Sequence, residues 1–196
     1  MSTTPSIKGT AFASAVEDLR ALLEAGRLER GQLEARLGAE DLALVEGKIL
    51  PGDWYPIDAY GRILDLLAAV EGGGTAYHVG RGRRAAERLL SSGIYRQLDH
   101  AKRLQSEARD PGALIGIMLT VGRSLYNFGA WELVRSESQE QLIRFEIRDV
   151  AALPENARYT VQGFVEWAAQ AIVGPQASAA SHRPALDRVR VEIRVA

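Results

Sequence analysis

The chain contains three histidines, His78, His100 and His182, and histidine is the side chain best suited to proton transfer or metal binding near neutral pH. They are far apart in the sequence and form no His-Glu-x-x-His pattern, so we expect no metal site built from several histidines. His100 follows Asp99 in a predicted helix and could present a single imidazole as the axial ligand of a haem. The alternative for each histidine is an ordinary surface or half-buried polar residue.

The other residue types that carry catalysis form no recognisable constellation. Ser124 lies in Gly122-Arg-Ser-Leu-Tyr, which lacks the second glycine and the preceding strand of a nucleophile elbow. Glu40 and Asp41 are neighbours on a predicted helix, so they do not face each other as an acid–base pair would. The absence of cysteine excludes thiol nucleophiles, thiolate metal sites and disulfides. We therefore predict that the protein is not an enzyme.

A cluster of basic residues lies near the middle of the chain, and the only acidic residues within it are Glu87 and Asp99. Its members are Arg81, Arg83, Arg84, Arg88, Arg96, Lys102 and Arg103. Such a cluster could hold an anionic ligand or face an acidic partner, and solvated helix faces explain it equally well. Only Tyr95 offers a stacking ring within it, so we predict no nucleic-acid binding.

Large aromatic side chains supply the candidates for a binding pocket. Trp54, Tyr55 and Trp131 are predicted to line a ligand site, because an indole or phenol combines an apolar body with one polar atom that needs a partner when buried. The alternative for each is a place in the core, or, for Trp54 and Tyr55, an anchor that holds an irregular Pro/Gly segment. Trp167 is expected in the core or at a dimer contact.

Alternating apolar and charged residues predict strands in the last third of the chain. Residues 188–195 and 141–148 show this pattern, and residues 131–135 form a shorter hairpin partner for 141–148. A helix is predicted over 160–173, and the Ala- and Ser-rich stretch 176–185 is predicted to be a linker. This linker is long enough to carry the last strand to either edge of the sheet.

Apolar residues at helical spacing predict helices through the preceding two-thirds of the chain. They are expected near residues 12–25, 28–37, 39–45, 56–71, 75–90, 94–105 and 113–126. The last of these is the most apolar and is predicted to be the central core helix. The fold class is therefore α+β, with an N-terminal helical layer packed on a small antiparallel sheet in the order strand, strand, helix, strand.

Length and composition are those of an ordinary globular protein. At 196 residues, with 46% hydrophobic and 25% charged residues and a net charge of -1, we expect one domain over 1–196. Residues 1–128 are predicted to be mainly helical, and residues 129–196 to hold the hairpin, a helix and the final strand. No signal sequence or apolar run of about 20 residues is present, so we predict a cytoplasmic protein without membrane contact.

Five segments together resemble one family. In chain order they are Ile7-Lys-Gly-Thr-Ala-Phe, Ile49-Leu-Pro-Gly-Asp-Trp-Tyr-Pro, Gly80-Arg-Gly-Arg-Arg-Ala-Ala-Glu, Ser92-Gly-Ile-Tyr-Arg and Gly163-Phe-Val-Glu-Trp-Ala. They resemble a paralogous family of uncharacterised proteins of similar length, known mainly from myxobacteria, of which Trp-Tyr-Pro is the most specific segment. That family is similar in layout to haem-NO-binding domains and 4-vinyl reductase-type domains, which serve as ligand-binding or assembly modules.

The resemblance also bears on cofactors. Haem-NO-binding domains hold the haem propionates with a Tyr-x-Ser-x-Arg motif, whereas this chain has Trp131-Glu-Leu-Val-Arg, with neither Tyr nor Ser in register. The 4-vinyl reductase-type domains often end in metal-binding cysteines, which this chain lacks. We predict no cofactor and a sensory or assembly module that binds a small apolar ligand, forms a homodimer, or both. The alternative is a haem-based gas sensor with His100 as axial ligand.

Overall fold

The computed structural model describes residues 4–91, 111–134 and 142–195. Its helices are α1 Gly9–Glu24, α2 Arg30–Arg36, α3 Ala39–Glu46, α4 Ile57–Glu71, α5 Gly74–Ser91, α6 Pro111–Leu125 and α7 Glu155–Ile172. Its strands are β1 Ser6–Lys8, β2 Trp54–Pro56, β3 Ala130–Val134, β4 Leu142–Arg148, β5 Ser178–Ala185 and β6 Arg188–Arg194. The helix predicted near 94–105, with His100, lies outside these ranges.

Four antiparallel strands form the main sheet in the order β3-β4-β6-β5. The predicted hairpin is confirmed, since Trp131 lies opposite Ile147 in the β3–β4 register. The final strand pairs with β4, which places Val191 opposite Phe145. The alternation explains this arrangement, because apolar residues of both strands point to one face and are buried there, while the charged residues cover the other face. Helix α7 packs against the buried face, and the α+β prediction is confirmed.

The prediction of a linker over 176–185 is wrong, because most of this stretch is strand β5. It pairs with β6 from Ser178 to Ala185, and the register shifts between His182 and Ala185. Its alanines and serines have low strand propensity, and Pro184 cannot donate to a ladder, so the pattern hid the strand. The edge position explains why the fold tolerates both the proline and the irregular register.

Two more elements differ from expectation, one at its boundary and one in its type. The last helix begins at Glu155, five residues before the predicted start, with Pro154 immediately preceding it. The segment Trp54–Pro56, predicted to be irregular, forms strand β2 and pairs with β1 in a separate two-stranded sheet.

None of the helices in the described ranges has the length and apolar character that crossing a bilayer requires.

Helices α5 and α7 make the most extensive contact between any two described helices. Two glycines allow this close approach. A Cβ atom at Gly82 would overlap the carbonyl oxygen of Thr160, and one at Gly163 would overlap the carbonyl oxygen of Val79. The two backbones therefore touch here without intervening side chains.

Candidate functional site

A cavity of about 290 Å³ lies between α1, α5, α6, α7 and the start of β3. Its lining consists of Ile7, Thr10, Ala11, Ala13, Ser14, Glu17, Pro51, Tyr60, Ala85, Arg88, Leu89, Met118, Val121, Gly122, Leu125, Tyr126, Trp131, Thr160, Val161, Phe164 and Val165. Glu17, Pro51 and Arg88 are exposed, so the cavity reaches the surface at these residues. Most of the lining is apolar.

The deep wall of the cavity is built by α6 and β3. Met118, Val121 and Leu125 share one face of α6, at spacings of three, four and seven residues. The indole of Trp131 packs beside them over Gly122, where a Cβ atom would lie 2.5 Å from the indole ring. Tyr126 stacks on the same indole with ring centres 6.4 Å apart. Gly122 thus makes room for the aromatic side chain that closes the cavity.

Polar groups are concentrated on the α1 side. Thr10, Ser14 and Glu17 follow one another along a single stripe of α1. The hydroxyl of Thr10 is buried and has no hydrogen-bond partner. Across the cavity edge, Arg88 of α5 donates from Nη1 to Ser14 Oγ and to Asp18 Oδ1, each over 3.0 Å. The cavity is therefore apolar at its base and polar along this edge.

A second set of polar side chains consists of Tyr60, Tyr126 and the buried Arg81. Arg81 of α5 is 1% exposed and its Nη1 lies 3.4 Å from Tyr60 Oη. Burial raises the pKa of the Tyr126 hydroxyl well above its ordinary value, and the nearby Tyr60 raises it further, while Arg81 opposes the shift. Tyr126 is consequently a neutral phenol in the physiological range.

The structure places the predicted site residues in different regions. Trp131 lines the cavity. Trp54 is 42% exposed, and Lys8 Nζ lies 4.2 Å from its ring centre. The ring of Tyr55 stacks on Phe12, and its hydroxyl accepts a hydrogen bond from the Leu50 amide over 2.8 Å. Neither Trp54 nor Tyr55 is among the residues that line the cavity, and His100 lies outside the described ranges.

The two described histidines lie in different elements, a helix and an edge strand. His78 of α5 is buried, and burial lowers its pKa, so it is neutral at pH 7. His182 is exposed on β5, opposite Arg190 of β6. Within the described ranges, no three histidine, aspartate or glutamate side chains are grouped as metal ligands would be.

The donor set of the cavity decides whether a haem fits it. Among the described residues of the lining, the groups that could approach iron are the thioether of Met118 and the phenols of Tyr60 and Tyr126. The raised pKa of Tyr126 disfavours the phenolate that would bind iron. In β3, Trp131 presents its indole to the cavity. The haem prediction requires a histidine, and none is among the described residues that line the cavity, so these residues do not supply that axial ligand.

Comparison with solved structures identifies the architecture. An Fe(II) unliganded H-NOX variant from K. algicida superimposes with a TM-score of 0.58 at 10% identity, covering 96% of each chain. The chain has the H-NOX fold. An H-NOX variant from T. tengcongensis gives a TM-score of 0.56 at 14% identity, covering 96% of this chain and 97% of that one. The predicted likeness to haem-NO-binding domains is confirmed for the fold.

A further neighbour is an oxygen-binding H-NOX domain related to soluble guanylate cyclases, with a TM-score of 0.55 at 14% identity. The superposition covers 96% of this chain and 94% of that domain. No protein-family model matches the sequence, and neither does any curated protein. The resemblances to the myxobacterial family and to 4-vinyl reductase-type domains stay predictions.

Proposed function

We propose that this protein is a non-enzymatic sensory module that binds one small apolar molecule in the cavity between α1, α5, α6 and α7. The main observation in support of this proposal is the cavity itself. Protein interiors are packed to crystal-like density and rarely keep voids larger than a water molecule, so a space of about 290 Å³ lined mainly by apolar groups is suited to a ligand. The H-NOX fold supports a sensory role, because solved structures with this fold include an oxygen-binding domain.

The hydrophobic effect would supply most of the affinity. A ligand that buries about 200 Å² of apolar surface gains about 5 kcal/mol. The loss of translational and rotational freedom opposes this gain, so we expect dissociation constants on the order of 1 mM for a simple probe. The wall formed by Met118, Val121 and Trp131 offers such a molecule dispersion contacts on several sides.

Calorimetric titration with 1-octanol tests this proposal. We expect saturable binding of one molecule per chain to the wild-type protein, with a negative heat-capacity change. Ala85→Phe places a ring in the cavity from α5 and should abolish the binding. Glu87→Phe adds the same ring at an exposed position of the same helix and should leave it unchanged. Equal binding by Ala85→Phe and the wild-type protein would place the ligand elsewhere and contradict the proposal.

A haem-based gas sensor with His100 as axial ligand is the second candidate. It is favoured by the likeness to an H-NOX structure described as Fe(II) unliganded and to one whose subject is haem redox potential. Protein purified from haem-replete cells should then show a Soret band that disappears in His100→Ala. A colourless preparation that also fails to take up added haemin would eliminate this candidate.

We further propose that the protein is cytoplasmic and forms a homodimer. Leu50 and Trp54 are exposed near each other in the chain and offer apolar surface for a homodimer contact. Light scattering at micromolar concentration measures the mass directly. A mass of two chains supports the homodimer, and a strictly monomeric mass contradicts it.

A further inference from the structure

We propose that the ligand of this cavity is an amphipathic carboxylate. Its anionic end would bind Arg88 at the α1–α5 edge, above the buried guanidinium of Arg81, and its hydrocarbon body would lie against α6 and α7. This inference rests on the proposed function and names the class of ligand that the site takes.

The first observation is that Asp18 of α1 is shared between two arginines of α5. Arg88 Nη1 donates to Asp18 Oδ1 over 3.0 Å, and Arg88 Nη2 lies 3.4 Å from Oδ2. Arg81 Nη2 lies 3.3 Å from the same Oδ2. The Asp18 carboxylate therefore contacts both guanidinium groups at once, and its two oxygens cannot form a bidentate pair with each of them.

The second observation is the state of Arg81. Its side chain is 1% exposed, and its Nε has no hydrogen-bond partner. Its Nη2 is close to Asp18 but is not aligned for a hydrogen bond, and its Nη1 reaches Tyr60 only at 3.4 Å. A buried guanidinium is costly unless its donors are satisfied, and the ion pair of Arg81 with Asp18 lacks hydrogen-bond geometry, so the positive charge beside the edge of the cavity is only partly compensated.

The third observation is the kind of polar group that borders the cavity. The buried hydroxyl of Thr10 lacks a partner, and the Ser14 hydroxyl already accepts from Arg88 and keeps its own proton to donate. The Thr10 and Ser14 hydroxyls therefore each have a proton to donate, and the ligand group that complements them is an acceptor.

The acidic groups near this edge do not reverse its preference. Glu17 borders the cavity but is exposed, so water and salt screen its charge. The potential of Arg81 acts through the low-dielectric interior and is screened much less. Asp18 is half-buried and would compete with the ligand for Arg88, which makes it an internal competitor whose removal can be tested.

The distribution of polarity fixes the orientation of the ligand. The charged edge belongs to α1 and α5, whereas the opposite wall contains Met118, Val121 and Phe164. A molecule with a single anionic end and an apolar body matches both regions at once. A neutral hydrocarbon would match only the wall, and a small inorganic anion only the edge.

Paired titrations with octanoate and 1-octanol at pH 7.5 test the inference, because these probes differ only in the polar end. We expect octanoate to bind at least about tenfold more tightly, as a charge-assisted pair to a guanidinium predicts. In Arg88→Met the preference for octanoate should disappear while the affinity for 1-octanol persists. Arg83→Met removes an exposed arginine of the same helix that does not line the cavity, and should retain the preference.

Asp18→Asn provides an independent arm, since it removes the internal competitor and keeps a polar side chain of the same size. It should raise the affinity for octanoate several-fold, on the order of 3- to 10-fold, and leave 1-octanol unaffected. The affinity of a surface site elsewhere would not respond to Asp18.

The outcomes separate the two proposals. If neither probe binds the wild-type protein, the proposed function fails. If both bind equally, the cavity function stands and the carboxylate inference is overturned. If octanoate is preferred but Arg88→Met retains the preference, the anionic end binds elsewhere and the inference is likewise overturned.

Discussion

Helices α5 and α7 are in contact along one section of their length and help to enclose a cavity along another. Around Gly82 and Gly163 the two backbones touch, and no additional atom fits between them. At Ala85 and Phe164, within one turn of those glycines, the same helices contribute to the walls of a space of about 290 Å³. The same pair of helices therefore contains both close backbone contact and open volume.

This difference shows that the cavity is not a consequence of poor packing between these helices. The glycines fix α5 and α7 rigidly against each other, so neither helix can move inward to fill the space beside Ala85. On the opposite side, Gly122 admits the indole of Trp131, which sets the depth of the cavity. The close contact at the two glycines therefore keeps the cavity open beside Ala85.

The largest effect is expected from Gly163→Ala, which breaks the close contact. The added methyl group would overlap the carbonyl oxygen of Val79 and force α5 away from α7, so we expect a loss of about 3 kcal/mol in the free energy of unfolding. Gly116→Ala is the matched control, since it adds the same group to α6 where no atom lies within 4 Å. It should raise the stability by up to about 1 kcal/mol through helix propensity. Urea unfolding measures both, and equal effects would refute the role of the contact.

A second comparison uses adjacent alanines of α5. Ala86 is fully buried in packed surroundings, and Ala86→Leu should cost about 2 kcal/mol through overpacking. Ala85 faces the cavity, and Ala85→Leu should change the free energy of unfolding by less than about 0.5 kcal/mol, because the new atoms enter open volume. Thermal and urea unfolding of the two variants provide the measurement. A cost as large for Ala85→Leu as for Ala86→Leu would mean that the volume is not available.

The charged residues on the outer face of the sheet can be compared with those at the edge of the cavity. Glu146 is 4% exposed, and its pKa is lowered first by the hydrogen bond from Arg148 and also by Arg190 and Arg188. Glu146 pairs with three arginines, whereas Asp18 pairs with two. The three arginines around Glu146 are at the surface of the sheet. Because the pKa is lower in the folded state, this stabilisation is complete above the ordinary value of about 4.3 and is lost as pH falls through the folded value.

Glu146→Gln should consequently be less stable than the wild-type protein at pH 7, and the difference should shrink steadily below about pH 4.3. Urea unfolding at a series of pH values follows the difference. A difference that grows on acidification would contradict the direction of the pKa shift.

The smallest expected effect concerns the hydroxyl groups of two cavity-lining threonines. Thr10 Oγ1 is buried without a partner, so Thr10→Val should leave the stability unchanged or raise it by about 0.5 kcal/mol. Thr160 Oγ1 donates to the Asn156 carbonyl oxygen over 3.1 Å, so Thr160→Val should lower the stability by about 1 kcal/mol. A loss for Thr10→Val as large as for Thr160→Val would show that Thr10 already has a partner in the protein without ligand.

Much of this fold follows from periodic patterns in the sequence. Alternation over 143–147 and 189–193 predicts β4 and β6 because each strand buries one face only. Strand β5 shows no such alternation, since its residues are small and its pairing depends on β6. The start of α7 has a signal in the sequence, because Pro154 followed by Glu155 is a typical beginning of a helix.

The cavity is only partly predictable from the sequence. The size and single polar atom of Trp131 make it a candidate pocket residue, and it does line the cavity. Ala85 and Gly122 carry no signal of their own, because a small residue leaves space only when its neighbours are prevented from filling it. The burial of Arg81 within a basic cluster depends on α1 and α4, which cover it, and not on the helical pattern of α5.

Diffraction from crystals of the protein pressurised with xenon tests the existence of the cavity most directly, because xenon enters apolar cavities and is located by its electron density. We predict a xenon peak among Met118, Val121 and Phe164 in the wild-type protein, and no peak there in Ala85→Phe. Wild-type crystals in which these side chains are in direct contact, with no density for xenon or any other molecule between them, would contradict this prediction.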